Sequence, residues 1–292
     1  MNRVQRLSEL IKARSQTQAS VEVFAQATYY PEFVKVYQPN KPMRKLRAGF
    51  EPTKKLVQSS ATTTSDPKFN LERSIRRTKA KVVAYALCNT YELFATFTFA
   101  SERQNIDRCK DRLNNWLKNQ KKRTSPDLKY LVVPEFHKDG ISLHFHALLH
   151  GYKGTLQKAL DPETGKPRKR NGKIRYNITS YKSGYTDAVK IGSTIEDRQK
   201  VGRYISKYII KEMPIFKNKN RYWVSLGHRL PIIEDNPPLN LLTEPPVWQT
   251  SNEYGTISIY AYCQATFFPN TSPLRLSLGL DLSFNLGLRL AA

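Results

Sequence analysis

The sequence predicts an α+β fold built on an antiparallel sheet. Between residues 70 and 230 the patterns run helix, strand, helix, hairpin, strand, helix, strand, an order that places helices against a meandering sheet. The run YELFATFTF at 91–99 is dense in aromatic and β-branched residues and reads as a buried strand. Two further apolar runs, DLKYLVVPEF and ISLHFHALLHGY, flank the turn residues HKDG and read as a hairpin.

The first helix is expected from Asn70, a candidate N-cap, with Leu71, Ile75, Val82, Val83 and Ala86 on one face. Ser101 and Gln104 offer a capping box for the second, whose apolar side is Ile106, Cys109, Leu113, Trp116 and Leu117. The segment DPETGKPRKRNGK at 161–173 is polar and basic and reads as an exposed loop or hairpin. Residues 174–191 look extended. A third helix begins at Ser193 or Thr194 and runs to Met213, where Pro214 stops it, and KNRYWVSLG reads as a further strand.

Outside this region the patterning is weaker. Residues 1–67 read as a basic extension with a short amphipathic helix at 3–14, an extended stretch near Phe33–Tyr37 and a Ser/Thr-rich linker, QSSATTTSDP. Residues 231–292 read as a Pro-rich, then β-like, extension, apolar at every even position from Leu274 to Leu290. The expected organisation is therefore 1–67, a domain at 68–230, and 231–292.

Composition narrows the function. Lys and Arg number 48 against 24 Asp and Glu, a net charge of +24, which concentrates polyanions near the surface and marks a nucleic-acid binder. Cys88, Cys109 and Cys263 are far apart, which fits a reducing cytoplasm and offers no zinc ribbon. The polar N-terminus carries no secretory pattern, and no apolar run reaches the ~18 residues of a membrane span. A GxxxxGK[ST] phosphate loop is absent, so no ATP-driven helicase is expected in the chain.

Four of the five histidines, His137, His144, His146 and His150, fall within fourteen residues. His144 and His146 are two apart on a strand, so both leave one face. If Asp139-Gly140 forms a two-residue type I′ turn, Glu135 lies directly opposite His144, about 5 Å away at Cβ. Two imidazoles and a carboxylate suit a divalent ion, with His137 in reserve as the third ligand. A three-residue turn would send Glu135 to the other face, so the set depends on register. His150 is two pleats from His146 and reads as structural.

The run RYISKYIIKE at 203–212 supplies the second constellation. On a helix Tyr204 and Tyr208 lie one turn apart, with Lys207 and Lys211 on the same side. Val201, Ile205 and Ile209 form an adjacent apolar stripe. Phenols among ammonium groups suit phosphoryl transfer, because a neighbouring lysine lowers the phenol pKa and can hold a phosphate.

LFATFTF, the His-hydrophobe-His run HFH (144–146) with PEFHKDG before it, and YISKYIIK (204–211) occur in an order that resembles the HUH endonuclease superfamily. The likeness covers residues 70–230 and is nearest to rolling-circle initiators of small phages and plasmids, filamentous phages included. The resemblance implies a five-stranded antiparallel sheet with flanking helices, of RRM or ferredoxin-like type. It also implies a Mg²⁺ or Mn²⁺ ion on His144, His146 and Glu135, and Tyr204 or Tyr208, each with its YxxK lysine, as nucleophile. The implied activity is a site-specific nickase and ligase for single-stranded DNA at a replication origin, working in the cytoplasm with a host helicase and polymerase. Two alternatives stand beside it. One is a relaxase or transposase with the same chemistry; the other is a non-catalytic module that stacks bases on Phe94–Phe99.

Overall fold

The computed structural model describes residues 20–46, 67–209, 221–237 and 245–261. The expected helix at 3–14, the QSSATTTSDP linker, Lys211, Pro214 and the alternating tail lie outside them. The described residues form two compact units, one from 20–46 with 232–237 and 245–261, the other from 67–209 with 221–231.

The first unit is all β. It holds β1 (Ser20–Val23), β2 (Gln26–Tyr29), β3 (Phe33–Pro39) and β4 (Met43–Leu46), with β14 (Ile232–Asp235), β15 (Trp248–Asn252) and β16 (Gly255–Ala261). Strands β1 and β4 pair with each other, and the rest form a five-stranded antiparallel sheet in the order β14-β2-β3-β16-β15. The two stretches read from sequence as separate extensions thus supply strands to one sheet. Val36, Phe33, Ala27, Ile257 and Ile259 are buried in it, and the rings of Tyr30 and Phe33 stack at 4.5 Å.

The second unit carries three helices, α1 (Pro67–Cys88), α2 (Ile106–Arg123) and α3 (Ile195–Ser206). Its strands are β5 (Leu93–Thr98), β6 (Lys129–Phe136), β7 (Leu143–His150), β8 (Leu156–Lys158), β9 (Lys169–Arg170), β10 (Lys173–Ile174), β11 (Tyr176–Ile178), β12 (Thr186–Lys190) and β13 (Trp223–Val224). Seven of these form an antiparallel sheet in the order β13-β6-β7-β5-β12-β11-β8. The predicted α+β class with an antiparallel sheet is the observed one. The count exceeds five because short strands, β8 and β13, extend the two edges.

Alternation along β5, β6 and β7 sorts the apolar residues between two cores. Ala95, Phe97, Val132, Phe145 and Ala147 face α2, where Cys109, Leu113, Trp116 and Leu117 meet them. Phe94, Leu131, Val133 and Leu148 face the other way, onto Ile75, Val82 and Ala86 of α1 and Ile205 of α3. The sheet is therefore covered on both faces, and α3 lies on the face that carries His144 and His146.

Two helix starts differ from expectation. Helix α1 begins at Pro67, whose fixed φ and missing N–H suit a first turn, so Asn70 lies inside it. Helix α2 is capped by Asn105, whose side chain accepts from the Arg108 N–H at 3.1 Å, rather than by Ser101.

Helix α3 can approach α1 closely because residue 202 is glycine. A Cβ there would stand 3.0 Å from the Ala86 Cβ. Gly202→Val should destabilise the unit by about 1–3 kcal/mol through overpacking and displace the tyrosine-bearing helix. Chemical denaturation checks the stability change.

Candidate metal centre and tyrosine pair

The hairpin of β6 and β7 sets the register on which the site depends. Glu135 pairs with His144 and Val133 with His146, as the sequence predicts. The turn itself differs. Asp139 is not in the left-handed region while Gly140 is (φ +69°), and the Gly140 N–H donates to the His137 carbonyl at 2.8 Å. The connection is a four-residue loop, 138–141, closed by the His137 N–H bond to the Ser142 carbonyl at 2.6 Å. Asp139 organises it by accepting the N–H groups of Ile141 and Ser142 at 2.9 and 2.8 Å. A four-residue loop has the same parity as a two-residue one, so Glu135 keeps its face.

Both imidazoles converge on a single carboxylate oxygen. His146 Nε2 lies 2.7 Å from Glu135 Oε2, and His144 Nε2 bonds the same oxygen. The donor atoms of the three residues lie within 4.8 Å of one another, and the group could hold a metal ion. His137 is exposed and outside that group, its ring 5.7 Å from that of His144. His150 is engaged elsewhere, with Nδ1 2.8 Å from Glu92 Oε1.

Electrostatics keep the donors in their ligating forms. Burial alone would push the Glu135 carboxyl up, but the bonds to His144 and His146 and their charges outweigh it and hold the pKa at about 2. His146 is 5% exposed, and burial pulls its imidazole pKa down despite the opposing pull of Glu135. At neutral pH the site thus presents an ionised carboxylate and, at His146, a neutral imidazole, which is what a divalent cation requires.

Thr96 is a supporting residue that sequence reasoning did not single out. It pairs with His146 across β5 and β7, and its hydroxyl lies 3.1 Å from His146 Nδ1. When Nδ1–H donates to that hydroxyl, the Nε2 lone pair is left for a metal. Thr96→Val should weaken Mn²⁺ binding about 10- to 100-fold, the usual scale for such outer partners, as calorimetric titration would read.

The tyrosines reach this site from α3, though not on one continuous helix. The α-helix ends at Ser206. Lys207, Tyr208 and Ile209 then donate to the carbonyls three residues back, a tighter 3₁₀ turn. Tyr208 sits in that turn and its ring stacks on His146, centroids 3.6 Å apart and 13° from parallel. Tyr204 meets the Tyr208 ring edge-on at 5.4 Å and Phe94 at 5.2 Å. Lys207 is exposed at the helix end.

The two phenols differ in environment. Tyr204 is 40% exposed. For Tyr208, burial first, then its hydrogen bond with Tyr204 and the Glu135 charge, push the phenol pKa up, while Arg170 pulls it down. A cation held by Glu135 would remove part of that upward push.

A cleft of about 530 Å³ opens onto these groups. Glu135, His144, His146, Tyr204 and Tyr208 line it, together with Arg170, Lys173, Arg175, Lys190 and Lys200. Arg170 and Lys173 come from the 161–173 excursion, which the sequence marks only as exposed and basic. By contrast, Phe94, Phe97 and Phe99 are at most 5% exposed, so this strand has no free ring faces on which bases could stack.

A covered antiparallel sheet with two histidines, a glutamate and two tyrosines around a basic cleft defines a class of candidate metal-dependent phosphoryl-transfer sites. The family model for the ORF2 type of replication-associated protein matches residues 92–213, a span from just before β5 to beyond Tyr208, and it supports a role in replication initiation. No curated protein and no solved structure matches the chain. No helix of the described residues is long and apolar enough to cross a membrane.

Proposed function

We propose that this chain is a site-specific endonuclease and ligase that starts rolling-circle replication on single-stranded DNA, in the manner of two-tyrosine HUH enzymes. One observation carries the reading: Tyr208 stacks on His146, a member of the Glu135–His144–His146 group, with Tyr204 packed edge-on against it. A phenol stands beside a metal position, where a nucleophile for phosphoryl transfer belongs.

A bound Mg²⁺ or Mn²⁺ would polarise the scissile phosphate and stabilise its developing charge. His144, His146 and Glu135 would hold it. The attacking phenol loses its proton as its oxygen forms a bond to phosphorus. The bond from phosphorus to the 3′-oxygen breaks, and that oxygen takes up a proton. The products are a 5′-phosphotyrosine and a free 3′-OH that a host polymerase can extend. Lys207 and Lys211 would hold phosphate oxygens near each tyrosine. Reversal with a new 3′-OH closes a circle, and a second phenol allows cleavage at one tyrosine while the other carries DNA.

The test is covalent capture. Purified protein, Mn²⁺ and single-stranded DNA tiled across its own replicon should give a denaturation-resistant adduct, with the nucleotide mapped by mass spectrometry to residue 204 or 208. An adduct elsewhere, or none on any tile, sinks the reading.

A further inference from the structure

We propose that the hairpin of β9 and β10 is a phosphate clamp, in which Arg170 and Lys173 together grip the backbone of the single-stranded DNA lying in the cleft. The identity of the anion rests on the nicking reading above; the site itself rests on geometry.

The hairpin is tight and held in place. Arg170 pairs with Lys173 and Lys169 with Ile174. The two residues between, Asn171 (φ +50°) and Gly172 (φ +74°), are both left-handed, as a type I′ turn demands. Below the turn the ladder continues through Arg175 N–H to Arg168 O at 2.9 Å and Arg168 N–H to Ala159 O at 2.7 Å. Arg175 is anchored by a two-pronged bond to Asp187 of β12, with Nε 2.6 Å from Oδ1. The cationic tip is therefore mounted on the sheet.

That tip stores an electrostatic conflict. Two cations stand directly opposite one another on one face, about 5 Å apart at Cβ, an arrangement that destabilises a bare hairpin. Arg175 has its carboxylate, but no ion pair of the described residues involves Arg170 or Lys173. An anion between them would convert the repulsion into two charge-assisted bonds, and guanidinium suits phosphate oxygens in particular. Both side chains line the cleft with Glu135, His144, His146 and Tyr208, and the Arg170 charge acts on the Tyr208 phenol. A phosphate gripped there lies beside the nucleophile.

The experiment measures binding apart from chemistry. Fluorescent oligo(dT) is titrated against the full chain carrying Tyr204→Phe and Tyr208→Phe, at several salt concentrations. Against that background Arg170→Ala and Lys173→Ala should each weaken binding about tenfold and flatten the salt slope by about 0.7, one phosphate contact of a single strand. Lys169→Ala removes the same charge from the opposite face of the hairpin and should change little. Wild-type-like affinity and slope in the Arg170 and Lys173 variants would overturn the clamp. So would an equal loss in the Lys169 variant, which would mean that only bulk charge matters. A stronger effect on oligo(U) than on oligo(dT) would reassign the cleft to RNA and overturn the DNA clamp. Failure of the otherwise wild-type chain to form an adduct sinks the nicking reading alone, and the titration still decides the clamp.

Discussion

Replacing Tyr204 and Tyr208 together by phenylalanine should abolish the covalent DNA adduct, lowering its rate by about 10⁴-fold or more, the scale on which removing a nucleophile acts. The substitution takes away two oxygens and little else. The Tyr208 ring stacks on His146 and the Tyr204 ring packs on Phe94, and phenylalanine keeps both contacts. Thermal stability and Mn²⁺ binding should therefore stay close to wild type, which separates lost chemistry from lost structure. At least one single variant should lose the adduct, and the position that still carries it in the other identifies the tyrosine that attacks. Undiminished adduct formation by the double variant would place the nucleophile elsewhere in the chain.

The sequence made the hairpin legible because strand periodicity and parity are local. HFH places two imidazoles on one face, and an even-numbered loop keeps Glu135 opposite His144 whether it holds two residues or four. The wrong turn type therefore did no harm. The tyrosine run was legible as a helix, but its end was not. The shift to 3₁₀ bonding after Ser206, which sets Tyr208 against His146, has no breaker before Pro214 to announce it. Contacts between distant segments were the real gap. Nothing local shows that β14 and β16 pair with β2 and β3 across roughly two hundred residues, because strand patterns name a face and not a partner. Thr96 was hidden for the same reason: it reaches His146 only through the pairing of β5 with β7. Arg170 had a signal that went unused. In RKRNGKIR the Asn-Gly pair marks a two-residue turn, and the cations flanking it must then face each other.

His144→Ala with His146→Ala should remove divalent-metal binding and cut adduct formation by on the order of 10³-fold, the scale of losing electrostatic stabilisation of the developing charge. His146 is the more demanding position. It is buried between Glu135, the Thr96 hydroxyl and the Tyr208 ring, so its loss should also loosen the tyrosine turn. Glu135→Gln keeps the shape and removes the charge, and should weaken Mn²⁺ binding without lowering thermal stability as much as the double alanine variant. Acid should act through the histidines and not through Glu135. That carboxyl, held at about 2, stays ionised throughout the working range, so its protonation cannot release the ion until far below neutral pH. His146 binds metal only when neutral, and burial lowers its pKa below the ordinary value of about 6.5, so its own protonation lies on the acid side of that value. Mn²⁺ affinity should therefore hold above that value and fall as pH drops through histidine protonation. Loss of affinity only below pH ~4, where carboxylates take up protons, would mean that the histidines are not ligands.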